Sequence, residues 1–265
     1  MVVFPQAINP TRYSPGVRFS LSVIRQRQQY IANRADNSDM STQLLPLFPL
    51  SIVLLPATPL PLHIFEDRYK EMMGDLIPVR GEFGIVLAKD DGIVNVGCTA
   101  TVDRVFRRYP DGRLDLLAVG QRRFQVVSLD EEKSYLRAAV EYFNDEEATD
   151  VPIALRKKAI AAYERLREVE KPEVIIEPKL EGPQLSFQLA QFIADLDKRQ
   201  TVLSLRSEVE RLEFLVSILP DYTVQRERIM LAKRVAPTRK NVDWRLVFSL
   251  PLQRRHVAEG NLPHG

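Results

Sequence analysis

Hydrophobic and polar residues follow two different periods along this chain, and the period changes near Asp150. Before that point, short apolar or alternating runs are separated by Pro, Gly and Asp, which is typical of β-strands and turns. These runs predict strands on either side of a Pro56–Pro59 bend within 44–65, and then at 83–89, 96–108, 114–119, 124–129 and 135–143. A tight hairpin is predicted at Pro110-Asp111-Gly112, because Pro presets φ for a turn and Gly accepts a positive φ. One helix is predicted at 66–77, where Tyr69, Met72, Met73 and Leu76 share a helical face.

After Asp150 the apolar positions recur at helical spacing. A first helix is predicted around 153–169, a second over 185–196, and a third from Leu205 to Leu219, with Ser207 and Glu210 as its capping box. Pro220 is expected to end the third helix, and a last helix is predicted at 224–235. The pattern therefore predicts an α+β protein, with an antiparallel β-barrel or half-barrel followed by a helical bundle.

The segment 40–65 carries no charge, and its length approaches that of a membrane span. However, five prolines interrupt it, and a spanning helix could not lose so many backbone donors in lipid. We therefore expect extended chain that is bent at its prolines and buried in protein. Met72 and Met73 would offer an adaptable apolar surface beside it if they are exposed.

Charge is distributed unevenly, although the net charge is only +2. Residues 41–150 hold 18 acidic and 12 basic side chains, whereas 1–40 and 237–265 are both basic. An acidic body argues against a nucleic-acid platform, which normally needs a basic face. The single cysteine, Cys98, excludes an intramolecular disulfide and fits a reducing compartment.

The order of several motifs resembles the Lon N-terminal, or substrate-binding, domain family. The resemblance rests on LPLFPLSIVLLP and LPLHIFEDRY within 45–69, on FGIVLAK at 83–89, on the DGRL and G-x-RF block within 96–127, and on YLRAAVEYF at 135–143. It covers about residues 44–220, most loosely in the helices. It implies a PUA-like β-rich domain followed by a helical bundle, and a role in binding proteins, here as a stand-alone domain without ATPase or peptidase domains.

The residues themselves favour a binding module over an enzyme. No phosphate-binding G-x-x-x-x-G-K-[ST] motif occurs, and no Ser-Lys dyad can be placed on any motif. His63 stands beside no cysteine or carboxylate cluster, so no metal or other cofactor is expected. We expect His63 to orient its strand through a backbone hydrogen bond, and Glu66, Asp67 and Arg68 to mark a helix start.

Two binding functions remain open. The first is recognition of unfolded polypeptide, or docking onto a protease or other partner, by strand addition at a sheet edge and through His63, Phe65, Tyr69, Met72 and Met73. The alternative is RNA binding by the central hairpin, through Arg104, Arg107, Arg108, Arg113, Arg122 and Arg123 interleaved with aromatic residues.

The pattern also predicts how the chain is divided. We expect an extension at 1–40 that is disordered or not native, a β-rich part at 41–150, a helical part at 151–236 and a weakly ordered tail at 237–265. Translation from Met40 would account for the extension. A cytoplasmic location is expected, or an organellar one if the Arg-rich residues 1–39 are a transit peptide.

Overall fold

A computed structural model describes residues 44–90, 92–146, 150–170 and 177–235, with the side chains of 233–235 excepted. The predicted extension at 1–40 and tail at 237–265 lie outside these residues. Six strands and five helices are present in the described chain: β1 (Leu45–Leu50), β2 (Pro59–Ile64), α1 (Asp67–Leu76), β3 (Phe83–Lys89), β4 (Gly92–Arg108), β5 (Leu114–Asp130), β6 (Arg137–Phe143), α2 (Ile153–Glu170), α3 (Leu185–Ala190), α4 (Leu196–Ser204) and α5 (Glu208–Val235).

Five of the strands close into a barrel. Their order is β5-β4-β3-β1-β6, and β6 pairs again with β5 to complete the ring. The pairing of β1 with β3 is parallel, and the other ladders are antiparallel. The predicted α+β class with a barrel and helices is confirmed, and the parallel pair arises because β2 and α1 lie between β1 and β3 in the chain.

A three-stranded sheet projects from this barrel. Strand β5 pairs with β6 through residues 123–130 and with β2 through residues 114–119. Strand β4 likewise pairs with β3 only from Gly92 to Ala100, whereas residues 101–108 pair with β5 alone. The far halves of β4 and β5, together with β2, therefore extend beyond the closed ring; we call this part the projecting sheet.

Glycines act differently at the two places where the sequence suggested turns around β5. Gly112 has a φ of 85°, which suits the predicted tight hairpin after Pro110. Gly120 instead lies inside one continuous strand, although the sequence predicted a break there. A Cβ on Gly120 would lie 2.2 Å from the carbonyl oxygen of Leu55, so the glycine allows the β1–β2 loop to approach β5.

The helices pack on the barrel through one large apolar cluster. It joins strand residues such as Phe48, Ile85 and Leu116 to helical residues such as Tyr163 and Leu212. A smaller cluster on the opposite face of the strands contains Leu47, Val86 and Phe124. Strand β3 contributes one face to each cluster, and only the larger cluster joins the strands to the helices.

Two helix boundaries differ from the prediction. The helix predicted over 185–196 is broken into α3 and α4, because the Asp195 carboxylate accepts a hydrogen bond from the Lys198 N–H and starts a new helix. Helix α5 continues through Pro220, which lies on its exposed side. Leu215, Leu219 and Tyr222 pack into the core on both sides of Pro220, and their burial offsets the lost backbone hydrogen bond.

Candidate functional site

The projecting sheet carries a cluster of polar and aromatic side chains on its half-exposed face. His63 on β2 and Asp115 on β5 are cross-strand partners, and Arg107 on β4 is the next partner across the sheet. The His63 Nδ1 lies 2.5 Å from Asp115 Oδ1, and the Tyr109 hydroxyl donates to Asp115 Oδ2 at 2.7 Å. The Asp115 carboxylate is therefore held from both sides by groups of the neighbouring strands.

The electrostatics of this cluster follow from those contacts. Burial opposes ionisation of Asp115, but the hydrogen bonds from His63 and Tyr109 outweigh it and lower the pKa of the Asp115 carboxyl. The same hydrogen bond to Asp115 raises the pKa of the Tyr109 hydroxyl. The carboxylate thus remains ionised, and each of its oxygens has a hydrogen-bond partner.

Aromatic rings and guanidinium groups surround the carboxylate. The His63 ring stacks on Phe65 at 5.9 Å and meets the edge of Tyr109 at 6.0 Å. The guanidinium groups of Arg107 and Arg113 lie over the Tyr109 ring at 4.6 and 4.7 Å. These contacts bring aromatic and cationic groups together on the projecting sheet.

Two large apolar side chains on the projecting sheet are open to solvent. Phe65, just beyond β2, is 39% exposed, and Phe106 on β4 is 54% exposed. They belong to the two strands that flank β5 in the sheet. We call the set formed by His63, Phe65, Phe106, Arg107, Tyr109 and Asp115 the hairpin surface.

The structure divides the predicted polypeptide-binding residues into two groups. His63 and Phe65 lie together on the hairpin surface. Tyr69, Met72 and Met73 lie in the core, with exposures of 3%, 0% and 0%. The methionines were expected to bind only if exposed, so they are not available to a partner in this structure. Their helical spacing indicated the buried face of α1, on which Tyr69 packs against Phe48 with 4.0 Å between ring centroids.

The predicted arginine set is also divided. Arg104, Arg107 and Arg108 are exposed on β4, and among the described residues no acid lies within ion-pair distance of them. Arg113 pairs with Asp111, and Arg122 pairs with Glu82 while covering Tyr142. Arg123 is buried inside the protein. A continuous six-arginine surface is therefore not formed.

Arg123 belongs to a buried polar network that sequence reasoning missed. Its guanidinium donates to the carbonyl oxygen of Leu205 and to Asp145, both at 2.6 Å. Arg211 on α5 is fully buried and donates to both carboxylate oxygens of Asp145, at 2.6 and 2.7 Å. Glu208 accepts from Arg211 at 2.7 Å and from the Ser186 hydroxyl at 2.6 Å. The only sequence signal was a charged pair, Glu208 and Arg211, set on the buried side of an apolar helix.

Other chemistry finds little support in the described part of the chain. Its His, Cys, Asp and Glu residues form no group suited to a metal ion. Within the same ranges, no helix has both the length and the apolar character needed to cross a bilayer. Cys98 is buried, and burial raises the pKa of its thiol to about 12, so the thiolate form is strongly disfavoured.

The described residues form a closed barrel with packed helices and a surface of aromatic and cationic side chains. The chain belongs to the family described as the ATP-dependent protease La (LON) substrate-binding domain, whose model matches residues 44–221. The family prediction made from the sequence motifs is thereby confirmed.

Individual relatives agree with the family. The chain is 23% identical over 222 residues to a Lon protease of Bacillus thuringiensis (strain Al Hakam), with 78% of this chain and 28% of that protein covered. It is 24% identical over 207 residues to a Lon protease of Wolbachia pipientis subsp. Culex pipiens (strain wPip), with 68% of this chain and 25% of that protein covered. The chain thus spans about a quarter of the length of these relatives.

Two solved structures share the fold. A Lon N-terminal domain protein from Xanthomonas campestris superimposes with a TM-score of 0.55 at 23% identity, over 66% of this chain and 98% of that one. The N-terminal domain of a Mycobacterium avium complex Lon protease superimposes with a TM-score of 0.51 at 19% identity, over 68% of this chain and 100% of that one.

Proposed function

We propose that this chain is a non-catalytic recognition module that binds unfolded polypeptide and can present it to a protease or another partner. The observation that carries the proposal is the hairpin surface, where Phe65 and Phe106 are exposed on a rigid sheet. Exposed aromatic side chains in a fixed framework supply apolar contact area at little cost in conformational entropy. The substrate-binding family supports the same assignment.

The binding energy should come mainly from apolar burial rather than from net charge. The part of the chain that forms the barrel has a net charge of −6, so general electrostatic attraction to acidic polymers is weak. Salt screens Coulomb attraction between exposed groups but leaves apolar burial intact. Binding of an unfolded protein should therefore persist as the salt concentration rises.

The test is a fluorescence-anisotropy titration with reduced, carbamidomethylated α-lactalbumin as the unfolded probe, at low and high ionic strength. Phe65→Ser should weaken binding several-fold, because it removes one aromatic contact from the hairpin surface. Val79→Ser is the matched control, because Val79 is exposed but lies outside that surface. Absence of binding to the unfolded probe, or equal effects of the two substitutions, would refute the proposal.

RNA binding is the second candidate, because Arg104, Arg107 and Arg108 are exposed beside Phe106 and form no close ion pair with the described residues. The burial of Arg123 and the ion pairs of Arg113 and Arg122 reduce the cationic surface on which it depends. An oligonucleotide titrated under the same conditions should bind weakly and be released by salt. Tight RNA binding without affinity for unfolded protein would favour this alternative.

A further inference from the structure

The projecting sheet has two outer edges, and on one of them prolines remove backbone hydrogen-bond donors. The Gly120 N–H donates to the Thr58 carbonyl, so alternate β5 amides point toward β2 and pair with Leu60, Leu62 and Ile64. Pro59 and Pro61 occupy the intervening positions, where the backbone faces outward. The outer edge of β2 therefore lacks two of the amide donors that an added strand would need.

The other edge is formed by residues 101–108 of β4, and no strand of the described chain pairs with it, although bulges at Asp103 and Phe106 interrupt its regular pairing with β5. Strand β3 pairs with β4 only as far as Ala100. Within the described chain, no backbone or side-chain hydrogen bond from outside the sheet reaches the main chain of 101–108. The outward amides and carbonyls of this segment are therefore unpaired within the described chain, and an added strand would pair with them between and around the two bulges.

Phe106 on this edge is flanked by Arg104, Arg107 and Arg108, for which the described residues provide no ion pair. Asp103 is the one acid among residues 101–108. The edge is thus a local cationic strip with an apolar centre, on a barrel region that is otherwise acidic. Facing side chains on adjacent antiparallel strands lie about 4.5–5.5 Å apart, close enough for direct charge pairing.

We propose that the β4 edge at 101–108 takes up an extended segment of polypeptide as an added strand, and that it selects segments in which acidic residues alternate with aromatic or aliphatic ones. This inference rests on the proposed function and names the class of segment bound. The arginines also disfavour pairing of two β4 edges with each other, because the same positive charges would then face one another. The edge therefore rejects a second copy of itself while accepting an acidic strand.

The probes are three fluorescein-labelled twelve-residue peptides. One alternates Glu with Phe and Val, the second has Lys in place of every Glu, and the third is the acidic peptide with N-methyl groups on alternate amides. At low salt the acidic peptide should bind about tenfold more tightly than the Lys peptide, a difference that should narrow at high salt. N-methylation should weaken binding at least tenfold, because it removes the amides that join the sheet, by analogy with proline.

Two variants locate the site on β4. Arg104→Glu should weaken the acidic peptide about 3- to 10-fold and strengthen the Lys peptide, whereas Arg165→Glu, an exposed charge reversal on α2, should change neither. Phe106→Ser should weaken both peptides, and Val79→Ser should weaken neither. Both test positions are exposed, and a urea unfolding midpoint equal to that of the parent protein verifies that each variant is folded.

The outcomes separate this inference from the function on which it rests. If unfolded α-lactalbumin binds but the peptides bind equally, or Arg104→Glu and Phe106→Ser match their controls, the edge is not the site and the proposed function stands. If neither α-lactalbumin nor any peptide binds, both proposals fail. If the N-methylated peptide binds as well as its parent, strand addition is refuted.

Discussion

Asp145 should be among the most important single side chains for stability, because two buried guanidinium groups depend on it. The side chains of Arg211 and Arg123 are 0% and 4% exposed, and three hydrogen bonds of 2.6–2.7 Å join them to the Asp145 carboxylate. Asp145→Ala would leave two neighbouring positive charges without this counter-ion. Breaking a buried ion pair by removal of one partner costs about 3–5 kcal/mol, a large part of a typical stability of about 5–15 kcal/mol.

Urea denaturation followed by circular dichroism at 222 nm measures this loss directly. With a slope of about 2 kcal/mol per M, the midpoint should fall by about 1.5–2.5 M. Glu146→Ala is the matched control, because Glu146 is the neighbouring acid and its ion pair with Arg206 is largely exposed. If Asp145→Ala and Glu146→Ala shift the midpoint equally, the buried network contributes no more to stability than an exposed ion pair.

The pH dependence of the same network has a definite sign. Burial opposes ionisation of Asp145, but Arg211 and Arg123 outweigh it and lower the pKa of the Asp145 carboxyl. A lowered folded-state pKa gives stability that is present above the unfolded-state value of about 4 and is lost as the pH falls through the lower folded-state value. The midpoint difference between the parent protein and Asp145→Ala should therefore be constant from pH 7 to 5 and shrink below pH 4. A difference that does not change with acid would contradict this assignment.

Three further predictions concern packing and chemistry. Leu212→Ala should cost about 2–5 kcal/mol because Leu212 is fully buried in α5, whereas Leu231→Ala, at an exposed position of the same helix, should have little effect in the same urea assay. The Cys98 thiol should react with Ellman's reagent only after unfolding, and rapid reaction of the native protein would contradict its burial. The purified protein should neither hydrolyse ATP nor cleave casein; activity that survives repurification and is lost on a single substitution would overturn the non-catalytic assignment.

Local signals predicted the parts of the fold that local chemistry determines. The Pro110–Gly112 turn, the buried face of α1 and the start of α5 at Ser207 each depend on a few adjacent residues. At that start, the Glu210 N–H donates to the Ser207 hydroxyl. The prediction at Gly120 was wrong, because the glycine is required by a loop distant in sequence and not by a turn. The continuation of α5 through Pro220 was likewise missed, because tertiary packing on both sides overrides the local preference.

The candidate site was predicted only in part, because it too depends on contacts between residues distant in sequence. His63 and Phe65 could be chosen from the sequence, but their association with Asp115, Tyr109 and Phe106 depends on the register of three strands. Arg122 and Arg123 show most clearly what the sequence alone could not predict. Neighbouring residues on a strand face opposite sides, so one became a surface ion pair and the other part of the buried network.

The position of Arg123 connects the stability of the domain to its proposed binding surface. Strand β5 changes partner between residues 119 and 123, from β2 in the projecting sheet to β6 in the barrel. Arg123 lies where the pairing with β6 begins, and its contacts with Asp145 and the Leu205 carbonyl hold β5 against the helices. The projecting sheet is therefore supported at its base by the buried network, while Arg104 and Phe106 lie toward its free end. Substitutions at those two positions leave the network intact, so a loss of peptide binding there would report on the edge itself and not on the folding of the domain.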